Sequence, residues 1–304
     1  MDSKSVLFFL MIIFTSTHVF SQEVIEIWPN GAPGAILNNE YEEMATFNSE
    51  HVLTHYSKVT NPTIEVFIPK NPNGFGVLIF PGGGYARLSI LKEGYLVAKE
   101  LNEKGISAFV VKYRLPSDVI MKDKKYGPLQ DAQEAIRMVR SNAEKFHVDV
   151  NKIGVLGFSA GGHLVSTLHT QYETESYESQ YQVSARPDFA ILIYPVISMN
   201  EDITHKGSKR NLLGENPTND LVDQFTNDLQ VDEEVAPVFL VHGGDDIVVP
   251  VQHSLNYYHA LLENNIPSAL HIYQKGEHGF GLGNNDENKR WLDDLEEWIK
   301  SQTK

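Results

Sequence analysis

Short runs rich in β-branched residues alternate with longer stretches of helical periodicity through most of this chain. That alternation restricts the fold more than any other feature, because strands joined by helical crossovers pair in parallel and must be covered on both faces. Thr63 to Ile68, Gly76 to Phe80, Ser107 to Tyr113, Lys152 to Phe158, Phe189 to Val196, Pro237 to Val241 and Ala269 to Tyr273 read as strands. Helices are predicted over Glu93 to Lys104, along the face Leu129, Ala132, Ile136, Val139 and Ala143 to an end near His147, and over His163 to Thr170. A further helix carries Leu255, Tyr258 and Leu262 on one face, and a last one carries Trp291, Leu295, Trp298 and Ile299. The expected architecture is one α/β domain with a mostly parallel central sheet and helices on both faces.

The chain has 304 residues, 41% of them hydrophobic, enough for one sizeable core without a second domain. Its N-terminus reads as an export signal: Lys4, the apolar run Val6 to Phe14, then Val19 and Ser21 at the small-residue positions before a cut. Residues 1–21 are therefore assigned to a signal peptide and 22–304 to the mature domain, bound for the periplasm or the medium. No run of apolar residues is long enough to span a membrane. The absence of cysteine excludes disulfides, thiolate metal sites and a lipid-modified cysteine. A formal charge of −15 disfavours nucleic acid and anionic membranes as partners.

Two stretches, Gln171 to Pro187 and Ser198 to Ala236, are too long for simple connections. Such segments in a compact domain are usually functional loops, and both are expected to form a small cap over the site. The second holds a basic cluster, Lys206, Lys209 and Arg210, read as exposed surface or as a contact for an acidic glycan.

In a parallel sheet, ligands bind beyond the carboxyl ends of the strands. The strongest signal there is Gly157-Phe158-Ser159-Ala160-Gly161-Gly162, preceded by an apolar strand and followed by a helix. Glycines allow a tight strand-to-helix turn that exposes the Ser159 hydroxyl. A serine hydroxyl is a weak nucleophile and needs a base, which a carboxylate must orient. His278 lies just past the last strand in the glycine-flanked Gly276 to Phe280 loop. His163, one turn into the helix, is read as a packing residue, and His242 as shaping the loop that holds the acid. That loop, His242 to Asp246, offers Asp245 and Asp246 as neighbouring candidates, of which one can point inward. Phe80 to Tyr85, with glycines at 82, 83 and 84, follows an early strand. Backbone N–H groups of Gly83, Gly84 and Ala160 are the candidate oxyanion donors. A phosphate-loop reading fails for want of the lysine and its spacing.

Taken together these stretches resemble the α/β-hydrolase carbohydrate esterases of the acetylxylan esterase type. The resemblance runs from about Trp28 to the C-terminus and includes Gly157 to His163, Pro81 to Tyr85, Lys112 to Leu115, Asp131 with Arg137 and Arg140, Thr204 to Ser208, Leu212 to Gly214, His242 to Pro250 and Gly276 to Phe280. The pattern H-G-x-x-D-x-x-V, shared with prolyl-oligopeptidase-like hydrolases, places the acid on Asp246, with Val249 completing the match. Pro81 stands where hormone-sensitive-lipase relatives carry histidine, which points away from that branch. The resemblance implies an α/β-hydrolase fold, a Ser159–His278–Asp246 triad, and removal of acetyl or other acyl groups from a polysaccharide or oligosaccharide. It implies no metal and no organic cofactor. Two alternatives compete: a prolyl-oligopeptidase-type serine peptidase, for whose usual propeller domain the chain has no room, and a glycan-binding pseudohydrolase, which would be expected to lack a triad member.

Overall fold

The computed structural model describes residues 23–302, so the stretch assigned to an export signal lies outside the described residues. Its strands are β1 (Glu23–Glu26), β2 (Met44–Phe47), β3 (Leu53–Ser57), β4 (Thr63–Phe67), β5 (Gly74–Phe80), β6 (Arg87–Leu88), β7 (Ser107–Lys112), β8 (Val148–Phe158), β9 (Phe189–Ile193), β10 (Val238–Gly243) and β11 (Ser268–Tyr273). The helices are α1 (Leu96–Glu103), α2 (Gly127–Ser141), α3 (Ala160–Thr170), α4 (Lys206–Leu213), α5 (Asn219–Gln224), α6 (Gln252–Glu263) and α7 (Trp291–Ser301). The main sheet runs β1-β4-β7-β5-β8-β9-β10-β11, and β2-β3-β6 form a small second sheet. In the main sheet β1 with β4 and β4 with β7 pair antiparallel. All pairings from β7 to β11 are parallel, as the alternation requires.

Successive residues of a strand point to opposite faces, so each buried strand supplies two cores. On one face Leu78, Val155, Leu192 and Leu240 pack with Leu129, Ile136 and Val139 of α2, Leu164 and Leu168 of α3, and Tyr257 and Leu261 of α6. On the other, Val77, Ile79, Leu156, Ile191 and Val241 pack with Val97 and Leu101 of α1 and with Trp291, Leu295 and Ile299 of α7. Arg114 and Asp131, both buried, form an ion pair at 2.8 Å. The Trp28 indole N–H donates to the same carboxylate at 2.7 Å, tying the N-terminal segment to α2.

Three expectations need correction. First, α2 ends at Ser141, and a turn through His147, which has a φ of 56°, leads into a β8 that starts at Val148. Second, α6 buries His253, Ser254, Tyr257 and Leu261, whereas Leu255 and Leu262 are 37% and 52% exposed. The inward face is part polar because its polar groups are satisfied. His253 Nδ1 accepts from the N–H groups of Ile197 and Ser198, and His253 Nε2–H donates to the Ile203 carbonyl. Third, Gln171 to Pro187 lies along α2 instead of covering the site. Gln133 donates to the carbonyls of Gln171, Tyr172 and Thr174, Arg137 to that of Val183, and Arg140 to that of Ser184. The long polar side chains of α2 supply the donors that an irregular backbone needs. The other insertion, Ser198 to Ala236, forms α4 and α5 and does approach the strand ends.

Candidate active site

The chain enters the site through the turn between β8 and α3. Ser159 sits at φ 52° and ψ −118°, a conformation that a residue with a Cβ adopts only under constraint. That constraint is visible: Ser159 N–H donates to the Ile193 carbonyl at 3.1 Å, and the Ser159 carbonyl accepts from Val196 N–H at 3.0 Å. The flanking glycines serve close approach, and the left-handed strain falls on the serine. A Cβ on Gly161 would lie 2.1 Å from the Phe80 carbonyl oxygen, and one on Gly157 would lie 2.3 Å from that of Gly161.

The loops after β8, β10 and β11 bring together the three side chains singled out from the sequence. His278 Nε2 lies 2.9 Å from Ser159 Oγ, and His278 Nδ1 lies 2.7 Å from Asp246 Oδ2. With Nδ1–H donating to the carboxylate, Nε2 is left to accept from the serine hydroxyl. Asp246 Oδ1 accepts from the N–H groups of Val248 and Val249, each at 2.9 Å. His242 shapes this loop as expected: Nε2–H donates to the Val249 carbonyl at 2.9 Å and lies 3.4 Å from Asp246 Oδ2. Burial alone would push the Asp246 carboxyl up, but hydrogen bonds from His242, His278 and Val249 and the charge of His278 outweigh it. The carboxyl is held well below the usual range, so Asp246 stays ionised. His163 is also where the sequence put it, buried between the Tyr85 hydroxyl and the Phe225 carbonyl.

The third group of predicted residues lies across the turn. Gly83 and Gly84 both have positive φ, 135° and 66°, and their N–H groups have no acceptor among the described residues. The loop is fixed at three points. Tyr113 Oη–H donates to the Pro81 carbonyl at 2.7 Å, Gly82 N–H donates to Glu93 at 2.8 Å, and Asn211 of α4 donates to the Gly84 carbonyl at 2.8 Å. Fixed backbone donors beside a serine hydroxyl can stabilise negative charge on an oxygen bound there.

Comparison with known proteins places this geometry in a family. The BD-FAE family matches residues 64–261, which include Ser159 and Asp246 and end before His278. The chain belongs to the BD-FAE family. An acetylxylan esterase of Xylanibacter ruminicola is 39% identical over 240 residues, 77% of this chain and 47% of that protein. Endo-1,4-beta-xylanase B of Butyrivibrio fibrisolvens is 36% identical over 218 residues, 71% of this chain and 34% of that protein. This chain thus spans less than half the length of both curated relatives. A solved structure of an acetyl ester-xyloside bifunctional hydrolase from Caldicellulosiruptor lactoaceticus superposes with a TM-score of 0.78 at 36% identity, over 92% of this chain and 96% of that one. The fold of this BD-FAE chain is accordingly that of the α/β-hydrolases.

Several residues that support the BD-FAE site escaped the sequence reading. Glu93 is buried behind the glycine loop, and besides Gly82 N–H its carboxylate accepts from the Tyr194 hydroxyl at 2.9 Å. Tyr194 Oη in turn accepts from Gly281 N–H at 2.9 Å, and its ring meets the His278 imidazole edge-on at 5.0 Å. Burial pushes the Glu93 carboxyl up, opposed by these hydrogen bonds and by the charge of His278. One buried carboxylate therefore ties the glycine loop to the histidine loop. A signal for it existed, since Glu93 falls at helical spacing between Ile90 and Val97, on the apolar side. Glu93→Ala is expected to strand two buried donors and lower unfolding free energy by about 2–4 kcal/mol. An unchanged midpoint in urea denaturation would show that the two loops are held by other means.

Asp245, the neighbouring candidate passed over for the acid, also has a task. Its Oδ1 accepts from Gly276 and Glu277 N–H, each at 2.8 Å, and so anchors the loop that carries His278. The basic cluster of the second insertion borders a cleft that contains none of Ser159, Asp246 and His278. Lys206, Lys209 and Arg210 line this space of about 750 Å³ between α4 and α5, together with Glu201, Glu215 and Asp223. Lys209 pairs with Glu201 at 2.7 Å, so the cleft is charge-balanced. Among the described residues no cluster of three or more His, Asp or Glu side chains could hold a metal ion.

Proposed function

We propose that this chain is a serine carboxylic ester hydrolase that removes acetyl, or other acyl, groups from a polysaccharide or oligosaccharide. The observation that carries the reading is the unbroken hydrogen-bonded line from Ser159 Oγ through His278 to the ionised Asp246. The carbohydrate side rests on the Xylanibacter acetylxylan esterase and the Caldicellulosiruptor hydrolase. An export signal at residues 1–21 fits a substrate met in the periplasm or outside the cell.

In this mechanism His278 Nε2 takes the proton as Ser159 Oγ attacks the ester carbonyl. The carbonyl oxygen becomes an oxyanion held by the N–H groups of Gly83, Gly84 and Ala160. Asp246 stabilises the imidazolium, which then gives its proton to the departing sugar oxygen. The acyl group is left on Ser159. Water attacks that ester, His278 takes a proton from it, and collapse of the second oxyanion returns the proton to Ser159 and releases the carboxylate.

The test pairs two assays on the purified protein: acetate release from acetylated xylo-oligosaccharides, and labelling by a fluorophosphonate with the modified peptide mapped. Both acetate and a label on Ser159 are expected. Labelling without acetate would discard the acetyl-glycan substrate and bring feruloyl and peptide substrates forward. Absence of a label would remove the serine mechanism itself.

A further inference from the structure

One side chain on the wall of the site is used by none of these steps. His205 precedes α4, and its Nδ1 accepts from Ser208 N–H at 3.2 Å, capping the helix, and from the Ser208 hydroxyl, which at 2.8 Å can turn its proton towards the ring. A ring nitrogen that accepts from a backbone N–H carries no proton, so in the neutral ring the proton is on Nε2. That Nε2–H has no partner among the described residues. By contrast His163, His169, His242, His253 and His278 have both ring nitrogens engaged.

The location of the free donor is specific. A Cβ on Gly84 would lie 3.4 Å from His205 Cε1, so the half-buried imidazole stands against the glycine loop. Burial holds its pKa below the ordinary histidine value, and it is close enough to His278 and Asp246 for their charges to act on it. The ring is therefore a neutral, oriented donor beside the reacting ester. Nor does capping explain a histidine, because asparagine, aspartate, serine or threonine caps a helix at least as well. What the imidazole adds is the reach of Nε2.

An acetyl ester offers that donor few acceptors. The methyl group has none, and the carbonyl oxygen has the backbone donors already described. The remaining acceptors belong to the alcohol half of the substrate. We propose that His205 is a specificity residue whose Nε2–H donates to a hydroxyl or ring oxygen of the sugar that bears the acyl group. This rests on the reading of the chain as a carbohydrate esterase.

Two variants separate the cap from the donor. His205→Asn keeps a capping oxygen but lacks the reach, whereas His205→Gln extends an amide N–H towards the Nε2 position and caps poorly. The quantity to follow is the ratio of kcat/KM for acetylated xylo-oligosaccharides to kcat/KM for 4-nitrophenyl acetate, whose alcohol half lacks sugar oxygens. Loss of one neutral hydrogen bond predicts a fall of this ratio by roughly threefold to tenfold in His205→Asn, mainly through KM, with thermal stability retained. His205→Gln is expected to recover part of the ratio while melting at a lower temperature. A ratio within about a factor of two of wild type in His205→Asn would overturn the proposal and leave His205 as a cap alone. Equal losses on both substrates would overturn it too, since that pattern means displacement of the Gly84 loop. Failure of the underlying reading looks different: the unaltered protein would cleave 4-nitrophenyl acetate and leave every acetylated oligosaccharide intact, and the proposal would fall with it.

Discussion

Ser159→Ala is expected to lower kcat for acetyl ester hydrolysis by about five to six orders of magnitude. The hydroxyl is the group that would form the acyl-enzyme, and it is the one His278 Nε2 addresses, at 2.9 Å. Alanine removes an oxygen without adding bulk, and the backbone anchors of residue 159 to Ile193 and Val196 do not involve the side chain. The variant should therefore fold and still bind ester through Gly83, Gly84 and Ala160. Adding His278→Ala to it should cost almost nothing further, because a base without its nucleophile has no proton to take. The measurement is single-turnover acetate release with enzyme in excess. A loss smaller than about a hundredfold would place the nucleophile elsewhere and remove the triad from the mechanism.

The second large effect is on stability. His163, His169 and His253 are buried, and burial lowers each imidazole to about 4 from an ordinary 6.5. The unfolded chain takes up these protons from about pH 6.5 downward, while the folded chain resists until about pH 4. Stability contributed by the neutral rings is thus fully present above about pH 6.5 and is lost as pH falls towards about 4. Each histidine supplies a slope on the order of 1.4 kcal/mol per pH unit inside that window. The carboxyls of Glu65, Glu93 and Asp228, pushed up by burial, bind protons more readily when folded and oppose part of the loss. The net expectation is a loss of several kcal/mol between about pH 6.5 and about pH 4.5, comparable with the whole stability of a typical domain. Urea titrations at half-unit intervals of pH would measure it. His169→Gln, whose position between Tyr257 and the Ala236 carbonyl is away from Ser159, should flatten the slope by about one proton. A profile of the same slope in His169→Gln and in the unaltered protein would mean that this ring is not held neutral in the fold.

From β4 onward the strands other than β6 could be read directly, because each is a short β-branched run bounded by turn residues. β1, β2, β3 and β6 could not. Most of their residues are exposed or half-buried and they run only two to five long, so neither alternation nor a continuous apolar run marks them. The same contrast holds in the site. Ser159, Asp246 and His278 sit in glycine-flanked loops just past strands, where position alone suggests chemistry. Glu93, Tyr194 and Asp245 act through a tertiary network: the spacing of Glu93 puts it on the apolar side of its helix without naming its partners, and nothing local marks Asp245, whose partners are backbone N–H groups far along the chain. The face of α6 was misread for a related reason: His253 and Ser254 are polar by composition but become core residues once other elements satisfy them.

The backbone at Ser159 has one more consequence. A left-handed conformation in a residue with a Cβ costs on the order of 1–3 kcal/mol, and glycine at the same position would relax it. In the proposed mechanism, the residue that activity requires at this position and the residue its backbone favours are therefore different amino acids. If Ser159 is the nucleophile, a library of this chain sorted on heat resistance alone would drift towards an inactive Ser159→Gly substitution, and only a screen that also demands turnover would keep the serine in its strained seat.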